Sequence, residues 1–253
     1  MITFSLQSGS NGNAIYVEAG DAKLLFDAGI SGRQAALRMA AHGREISDCD
    51  ALILSHEHAD HTRAAGVYQR KFDLPIYCTE RTFLETRRRI GKLGEPVHFS
   101  AGETLAFCDT RVHTIPTPHD GIDPVGFVVE HAGKKLGILT DLGHPFHGLR
   151  DVLSELDAMY LESNYDPEML WSGTYPERLK RRISGHGGHL SNEEAAILVR
   201  DCIKPRFKWL AVAHLSEHNN NPELALDAQR KWVGRTLPVY LSSRYAVGEV
   251  LEV

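Results

Sequence analysis

The sequence predicts an α/β fold in which two β-sheets lie between outer helices, a four-layer αβ/βα sandwich. Short β-rich runs come in groups before each helical pattern, and this order occurs twice along the chain. The composition is that of a globular chain with a substantial core, because 42% of its 253 residues are hydrophobic and 24% are charged. Since no linker, low-complexity tract or short repeat interrupts the chain, we expect one domain over residues 1–253.

The first half of the predicted sandwich contains four strands and one helix. Apolar runs predict strands in ITFSLQ (2–7), AIYVEAG (14–20) and KLLFDAG (23–29). The segment GRQAALRMAAHG (32–43) has helical spacing of its apolar residues. The run ALILSH (51–56) then predicts a buried strand, which completes a first group of strands.

The second half repeats this order of strands and helices. VGFVVE (125–130) and KLGILTD (135–141), joined by HAGK, predict a β-hairpin. A helix in LRDVLSEL (149–156), a strand in AMYLES (158–163) and a buried strand in KWLAVAHLS (208–216) follow. The two halves together predict the two sheets with helices outside them.

Three boundaries in the second half are marked by specific residues. Ser191 and Glu194 have the spacing of a capping box that starts a helix. Asn221 and Pro222 suit the N-cap and N1 positions of the last helix. After that helix, PVYLSS (238–243) is predicted to close the chain as a strand.

Composition excludes several classes of protein. No stretch approaches about 18 apolar residues, and the start MITFSLQSGS has no basic region followed by an apolar one, so we expect a cytoplasmic protein without a membrane span or secretory signal. The net charge of −5 argues against diffuse binding of polyanions but leaves a local basic groove open. We expect buried free thiols rather than disulfides or a zinc knuckle at the four scattered cysteines, Cys49, Cys78, Cys108 and Cys202.

The segment LILSHEHADHTRAAG (52–66) is the densest group of chemically active residues. Directly after the apolar strand it places His56, Glu57, His58, Asp60 and His61. Histidine nitrogen and carboxylate oxygen suit zinc, manganese or iron, and the two halves of this HxHxDH pattern can serve two neighbouring metals. Two ions about 3.5–4 Å apart can clamp a phosphoryl group, and water bound to them loses a proton near pH ~7.

Further ligand residues follow apolar runs downstream. They are His119 in TIPTPHDGIDP, Asp141 in LGILTDLG and His214 in LAVAHLS. Because loops at strand ends carry functional residues, we expect these side chains to converge with the HxHxDH segment. The pattern is therefore a constellation spread over the chain.

This constellation resembles the metallo-β-lactamase superfamily, beginning with Asp27 in LFDAG and covering nearly the whole chain. The resemblance implies a dinuclear hydrolase in which Asp141 bridges the ions and Asp27 orients the ligands from behind. One metal would be held by His56, His58 and His119, and the other by Asp60, His61 and His214. Asp60 is also a candidate catalytic residue. Because His58 stands where flavodiiron proteins have glutamate, a redox role is not expected.

Five segments, in order, are similar to the YycJ (WalJ) family of small proteins with this fold. They are SLQSGSNGNAIYV, PHDGIDPVGF, YLESNYDPEML, GTYPERLKRRISGHGGHLSNEEAA and HLSEHNNNPELAL. This resemblance implies 5′-to-3′ DNA exonuclease activity with metal-bound hydroxide as the nucleophile, and the chain is too short for an inserted β-CASP domain. His144 and His218 depart from the tyrosine and glutamate expected at those positions.

His189 lies in GHLSNEEAA, which is similar to a segment of tRNA-processing nucleases. There the histidine contacts the scissile phosphate or protonates the leaving oxygen, and we carry this role to His189 as a catalytic acid. The alternative is a structural histidine that precedes the Ser191 helix cap.

Basic residues are the candidate contacts to a phosphate polymer. We favour the cluster next to the His189 segment, which comprises Arg178, Lys180, Arg181 and Arg182. A second cluster comprises Arg81, Arg87, Arg88, Arg89 and Lys92. Either can instead be a solvated helix face, since glutamates dilute the charge. Trp171 and Tyr175 are candidates to stack a base at a strand end, and QSGSNGN (7–13) is either a phosphate-binding loop or a tight turn.

Three functions from different classes remain open at this point. The first is a two-metal phosphodiesterase acting on DNA ends, and the second is a hydrolase of a small cyclic phosphodiester, thioester or lactone. The third is a metal-stabilised binding module without turnover, which the open ligand set disfavours because structural metal sites are closed by four ligands. The sequence pattern does not specify the oligomeric state.

Overall fold

The computed structural model describes residues 1–90 and 93–253. Fourteen strands occur in this part of the chain: β1 (Ile2–Gln7), β2 (Ala14–Ala19), β3 (Ala22–Phe26), β4 (Ala51–Ile53), β5 (Ile76–Cys78), β6 (Val97–His98), β7 (Thr104–Phe107), β8 (Thr110–Pro116), β9 (Val125–His131), β10 (Lys134–Leu139), β11 (Ala158–Glu162), β12 (Trp209–Ala213), β13 (Val239–Leu241) and β14 (Leu251–Glu252).

The helices of the same ranges lie between and after these strands. They are α1 (Gly32–Ala40), α2 (Ala59–Thr62), α3 (Ala65–Phe72), α4 (Glu80–Ile90), α5 (Leu149–Ser154), α6 (Pro167–Ser172), α7 (Glu177–Ile183), α8 (Asn192–Cys202) and α9 (Pro222–Val233). A 3₁₀ turn spans Ile46–Asp48.

The strands form two sheets of seven within the described ranges. Their orders are β14-β1-β2-β3-β4-β5-β6 and β13-β12-β11-β10-β9-β8-β7. Strands β3 to β6 are parallel, as are β10 to β13. Strand β1 runs with β3 because each is antiparallel to β2, and β8 runs with β10 because each is antiparallel to β9.

Alternation along the strands divides the apolar side chains between three cores. In β3, Leu24 and Phe26 point into the core between the two sheets, whereas Leu25 points to the core under α1 and α3. In β12, Trp209 faces the core between the sheets and Leu210 faces the core beneath α5, α8 and α9. The successive layers are helices, sheet, sheet and helices, which confirms the predicted αβ/βα sandwich.

Local chemistry explains the predicted boundaries. Ser191 accepts from the Glu194 amide while the Glu194 carboxylate accepts from the Ser191 amide, so the capping box forms. The Asn221 side chain caps α9 by accepting from the Leu224 amide. The hairpin between β9 and β10 turns at Ala132 and Gly133, whose φ angles are 49° and 75°.

Several elements differ from the sequence-based prediction. The prediction omitted β5, β6 and β7, which have only two to four residues and little alternation to detect. It also ended the chain at PVYLSS, but β14 follows and pairs with β1 through Ile2 opposite Glu252. Trp171 was expected at a strand end and instead lies in α6, where its side chain is exposed.

The cysteines match the expectation except at one position. All four are free thiols, and Cys49, Cys78 and Cys202 are buried. Cys108 is exposed, contrary to the prediction, because it forms the turn between β7 and β8 with a φ of 52°. Within residues 1–90 and 93–253, no helix combines the length and apolar character needed to cross a membrane.

Candidate metal centre

The candidate ligands lie in loops that follow the carboxyl ends of strands running in the same direction. His56 follows β4, His119 follows β8, Asp141 follows β10 and His214 follows β12. His58 is the N-cap of α2, so Asp60 and His61 lie in the first turns of that helix. The two sheets therefore bring all seven predicted ligands to one edge of the sandwich.

Three histidines form the first group of converging nitrogens. Nδ1 of His58 lies 3.0 Å from Nε2 of His56 and 3.3 Å from Nε2 of His119. The His56 and His119 side chains are buried, and His58 is half-buried. Three nitrogens that point at one another at this spacing can hold one divalent ion.

A second group joins Asp60, His61 and His214. Oδ2 of Asp60 lies 3.5 Å from Nε2 of His61 and 3.9 Å from Nε2 of His214. Both histidines are fully or almost fully buried, whereas the Asp60 carboxylate is partly exposed. The three atoms converge closely enough to hold a second ion.

Asp141 lies between the two groups. Its Oδ1 is 3.6 Å from Nε2 of His119 and 3.4 Å from Nε2 of His214, and its Oδ2 is 3.2 Å from Nε2 of His61. Oδ2 is buried, and no group in the described part of the chain donates a hydrogen bond to it. Burying a carboxylate oxygen without a hydrogen-bond partner costs free energy, so this oxygen is well suited to ligate a metal.

The protonation states suit metal ligation. Burial lowers the pKa of His56, His58 and His214, which favours the neutral imidazole that binds metals. Burial alone would raise the pKa of Asp60 and of Asp141, but the neighbouring histidines hold both pKa values below their usual range. The pKa of His61 is raised despite burial because Asp141, Asp27 and Asp60 surround it, so a metal ion at His61 would have to replace a proton. The residues present therefore fit a pair of divalent ions.

Asp27 and Ser55 orient the candidate ligand histidines through contacts to their Nδ1 atoms. Oδ2 of Asp27 is 2.7 Å from Nδ1 of His61, and the Asp27 carboxylate also accepts from the amide and hydroxyl of Ser55. The Ser55 hydroxyl lies 3.0 Å from Nδ1 of His56. Asp27 thus lies where the sequence predicted, whereas Ser55 was not predicted because a serine in a strand-end loop carries no distinctive pattern.

Asn13 is a second unpredicted positioning residue. Its Nδ2 lies 3.3 Å from Oδ2 of Asp60 and 3.1 Å from Nε2 of His61, and its Oδ1 lies 3.2 Å from Nδ1 of His214. Oδ1 also accepts from the Gly9 amide. Residues 7–13 form a turn in which Asn13 contacts the second ligand group, and phosphate binding by this segment stays a prediction.

The backbone at the site is unusual in two ways. Asp27, Asp141 and His214 have φ angles of 65°, 58° and 55°, a conformation that few non-glycine residues adopt. A Cβ on Gly29 would lie 1.7 Å from the carbonyl oxygen of Asp60, so only glycine allows this approach to α2. This close approach holds the LFDAG segment against the HxHxDH segment.

His189 lies beside the ligands and pairs with Glu162. Its Nδ1 is 2.5 Å from Oε1 of Glu162 and 3.7 Å from Oδ1 of Asp141. Burial would lower the pKa of His189, but the negative charge of Glu162 and its hydrogen bond raise it to about 9. Glu162 is fully buried, and its Oε2 accepts from the amides of Leu142 and Leu190.

Glu162 was not predicted as a site residue. The available indication was the same as for the ligands, because Glu162 is an acid at the end of the apolar strand AMYLES. Oxygen and nitrogen atoms of Asp141, Glu162, His189 and His214 also lie close enough to hold an ion. The Glu162 contact occupies Nδ1 of His189, as the Asp27 contact occupies Nδ1 of His61.

The favoured basic cluster lies on α7, close to the first ligand group. Nε of Arg182 donates to Oδ2 of Asp120 at 2.6 Å, and Oδ1 of Asp120 lies 3.5 Å from Nε2 of His119. Arg178 lies one turn earlier on the same helix face and is exposed. Lys180 donates to the carbonyl of Trp171, and Arg181 pairs with Glu177.

The second basic cluster, on α4, has local partners. Arg81 pairs with Asp123 at 3.0 Å, Arg88 pairs with Glu85 at 3.3 Å, and Arg87 lies over the ring of Phe83. Lys92 and the side chain of Arg89 lie outside the described residues. His144 and His218, which depart from the family pattern, contact His186 and Tyr175 and are not among the converging ligand groups.

Comparison with known proteins shows the family of this chain. The model of the metallo-beta-lactamase superfamily matches residues 8–196. Exodeoxyribonuclease YycJ of Bacillus anthracis is 36% identical over 250 residues, covering 98% of this chain and 92% of the relative. The chain belongs to this superfamily and to its YycJ family. Exodeoxyribonuclease WalJ of Streptococcus pneumoniae strain D39 is also 36% identical, over 87% of this chain and 83% of its own length.

Solved structures agree with the fold of the metallo-β-lactamase superfamily. The zinc-bound PqqB structure from Methylobacterium extorquens covers 100% of both chains with a TM-score of 0.75 at 16% identity. At this identity the likeness concerns the fold alone. The expectation of a YycJ-like chain with the metallo-β-lactamase fold is therefore confirmed.

Proposed function

We propose that this chain is a dinuclear-metal exodeoxyribonuclease that shortens DNA in the 5′-to-3′ direction. The observation that carries the proposal is the position of Asp141, whose two oxygens face two separate groups of ligand atoms. A pair of metals that shared this carboxylate would suit phosphoryl displacement, because it could act on the attacking and the leaving oxygen together. The exodeoxyribonuclease names of the YycJ and WalJ relatives support DNA as the substrate.

Each metal is assigned to one of the two ligand groups. We assign the first to His56, His58 and His119, and the second to Asp60, His61 and His214, with Asp141 shared. The nitrogen and carboxylate donors suit zinc, manganese or iron. Such ions supply Lewis acidity that polarises the phosphoryl group and makes water a nucleophile at neutral pH.

The side chains of this protein then perform the remaining steps. Asp60 is ionised and partly exposed, so its carboxylate can accept a hydrogen bond from the attacking water and hold it in place. As the bond from phosphorus to the departing sugar oxygen breaks, His189 donates a proton to that oxygen from Nε2. Glu162 holds the His189 ring by its Nδ1 and stabilises the protonated form.

The DNA backbone would approach across α7. Arg182 lies beside the first ligand group through Asp120, and Arg178 extends the same positive face by one turn. Contacts to phosphates position a nucleic acid without reading its sequence, so we expect weak base preference. We propose a cytoplasmic location, which suits an enzyme that acts on DNA, and one domain over residues 1–253 with no β-CASP insertion.

A direct comparison of substrates tests this function. Protein loaded with metal is incubated with end-labelled duplex DNA of several end types and, separately, with a bis-aryl phosphodiester. We expect progressive shortening of the DNA from the 5′ end. Turnover of the small diester with every DNA left intact would instead identify a small-molecule hydrolase of the same fold.

A further inference from the structure

A buried arginine lies next to the second ligand group, outside the machinery described above. Arg244 follows β13, whose carboxyl end lies at the same edge as the metal centre. Only 9% of its side chain is exposed. It lines a cavity of about 200 Å³ together with Leu215, Ser216, Glu217, Asn220 and Tyr245. Since Leu215 directly follows His214, this cavity lies near the second ligand group.

The guanidinium of Arg244 is only partly satisfied. Nη1 donates to the carbonyl of Leu215 at 2.8 Å and to the hydroxyl of Ser10 at 3.2 Å, and Nη2 donates to Oε2 of Glu217 at 3.0 Å. Nε is buried and has no acceptor in the described part of the chain. Because a buried cation with an open donor is costly, this arrangement favours binding of an anion.

The loop that carries Arg244 is held rigidly. Arg38 donates from Nη2 to the carbonyl of Tyr245 at 2.7 Å, and the Ser8 amide donates to the carbonyl of Ser243 at 3.0 Å. Nε2 of His42 lies 2.8 Å from the carbonyl oxygen of Gly248. A cation fixed in this way loses little conformational entropy when it binds a ligand.

Glu217 marks the position that an anion would occupy. Its carboxylate accepts from Nη2 of Arg244 and, at 3.4 Å, from the hydroxyl of Tyr245. Glu217 is 47% exposed and can swing into solvent. A phosphate monoester carries about −1.5 to −2 charges and three acceptor oxygens, so it would replace one carboxylate on these donors.

Arginines thus lie at both ends of the metal centre. Arg182 lies beside the His119 end, and Arg244 lies beside the His214 end. A strand whose scissile phosphate sits at Asp141 would meet one arginine on each side. The Tyr245 ring is 70% exposed and available to stack on a terminal base.

We infer that Arg244, Ser10 and Tyr245 form a receptor for the terminal 5′-phosphate of the DNA strand, one nucleotide from the scissile bond. This inference rests on the proposed exonuclease function. It would position the strand for that function, because a terminal phosphate offers the fixed guanidinium more charge and more acceptor oxygens than an internal phosphodiester does. A 5′-hydroxyl end would leave the cavity without its anion.

Equilibrium binding tests the receptor independently of turnover. Metal-loaded protein is titrated with a 3′-labelled oligonucleotide whose first linkage is an uncleavable methylphosphonate, carrying either a 5′-phosphate or a 5′-hydroxyl. We expect about tenfold or greater preference for the phosphorylated end. Arg244→Gln should abolish the preference, Arg244→Lys should retain part of it, and Glu217→Gln should strengthen it. The matched control Arg150→Gln, at an exposed arginine paired with Asp201, should preserve it.

Two outcomes would overturn the receptor. One is equal binding of both ends by the unmodified protein, and the other is an equal loss for both ends in Arg244→Gln, which indicates a structural role. If Arg244→Gln does not fold, the end preference of Arg244→Lys and of Glu217→Gln tests the receptor instead. Cleavage of ordinary DNA is measured in parallel, so DNA cleavage without end preference refutes only the receptor. Phosphate preference without cleavage refutes only the nuclease.

Discussion

Nδ1 of His189 lies 2.5 Å from Oε1 of Glu162, so this ring nitrogen is committed to the carboxylate and Nε2 is the other nitrogen that can donate a proton. The other carboxylate oxygen accepts from the Leu142 and Leu190 amides, so Glu162 itself cannot rotate. The ring of His189 stacks on that of His214 with centroids 5.3 Å apart. These contacts fix the imidazole in one orientation next to the ligand groups.

Loss of the imidazole should therefore reduce turnover without removing metal. We expect His189→Ala to lower kcat about 10²–10⁴-fold, the usual contribution of a general acid. Glu162→Gln should lower kcat less, because the amide retains the volume and can still contact the ring. Metal content, measured by elemental analysis, should stay unchanged in both variants. If His189→Ala loses an ion, the assigned roles of His189 and His214 must be exchanged.

The proposed bridging role of Asp141 predicts the opposite pattern. Protein loaded with excess metal and then freed of unbound ions should contain two ions per chain. Asp141→Ala removes the carboxylate shared by both groups, so metal content and activity should fall together. Elemental analysis across the two variants separates a ligand from an acid. One ion or none in the unmodified protein would refute the dinuclear centre.

Asn13 should affect metal affinity without being a ligand. Its side chain contacts Asp60, His61 and His214, and loss of such orienting contacts typically costs about 10–100-fold in metal affinity. We expect Asn13→Ala to weaken metal binding by that amount in competition with a chelator. Asn11→Ala is the matched control, since Asn11 lies in the same turn and donates to the Arg244 carbonyl instead. Equal effects of both variants would indicate general loosening of the turn.

The residues that converge as candidate ligands were easier to predict from the sequence than the groups that contact them. His56, His58, Asp60 and His61 lie in one short segment after an apolar strand, so the pattern is local. The positioning contacts are not local, because Asn13 and His214 are 201 residues apart and Glu162 and His189 are 27 apart. No spacing rule connects such pairs, and only the convergence of parallel strand ends brings them together.

The same distinction applies to the fold. Long alternating strands and capped helices were predictable because Ser191 and Asn221 satisfy helix ends through residues three positions away. Strands β6 and β14 have two residues each and depend on a partner strand far along the chain. The stability that such strands gain by pairing cannot be inferred from their own residues alone.

The capping box predicts a measurable contribution to stability. Ser191→Ala removes the acceptor for the Glu194 amide and should lower the free energy of unfolding by about 1 kcal/mol. Denaturant titration of the variant and the unmodified protein measures the change. Ser172→Ala is the control, because its exposed hydroxyl only donates to the Glu168 carbonyl, and its effect should stay within about 0.5 kcal/mol.

The face of α7 predicts which basic residues contact DNA. Arg178 and Arg182 lie one turn apart on the side that reaches Asp120, whereas the Lys180 ammonium is held by the Trp171 carbonyl. Neutralising Arg178 should weaken DNA binding and reduce the slope of log affinity against log salt by about 0.9, as expected for one lost phosphate contact on a duplex. Lys180→Gln should change the slope less.

Two comparisons make this prediction decisive. Arg150→Gln removes an exposed arginine on α5 and should leave both affinity and salt slope unchanged. Hydrolysis of a bis-aryl phosphodiester should be the same in Arg178→Gln as in the unmodified protein, because Arg178 contacts the polymer and not the reacting phosphorus. An unchanged salt slope in Arg178→Gln would show that the basic face of α7 is only a solvated surface, and the backbone would then have to approach from the Arg244 side.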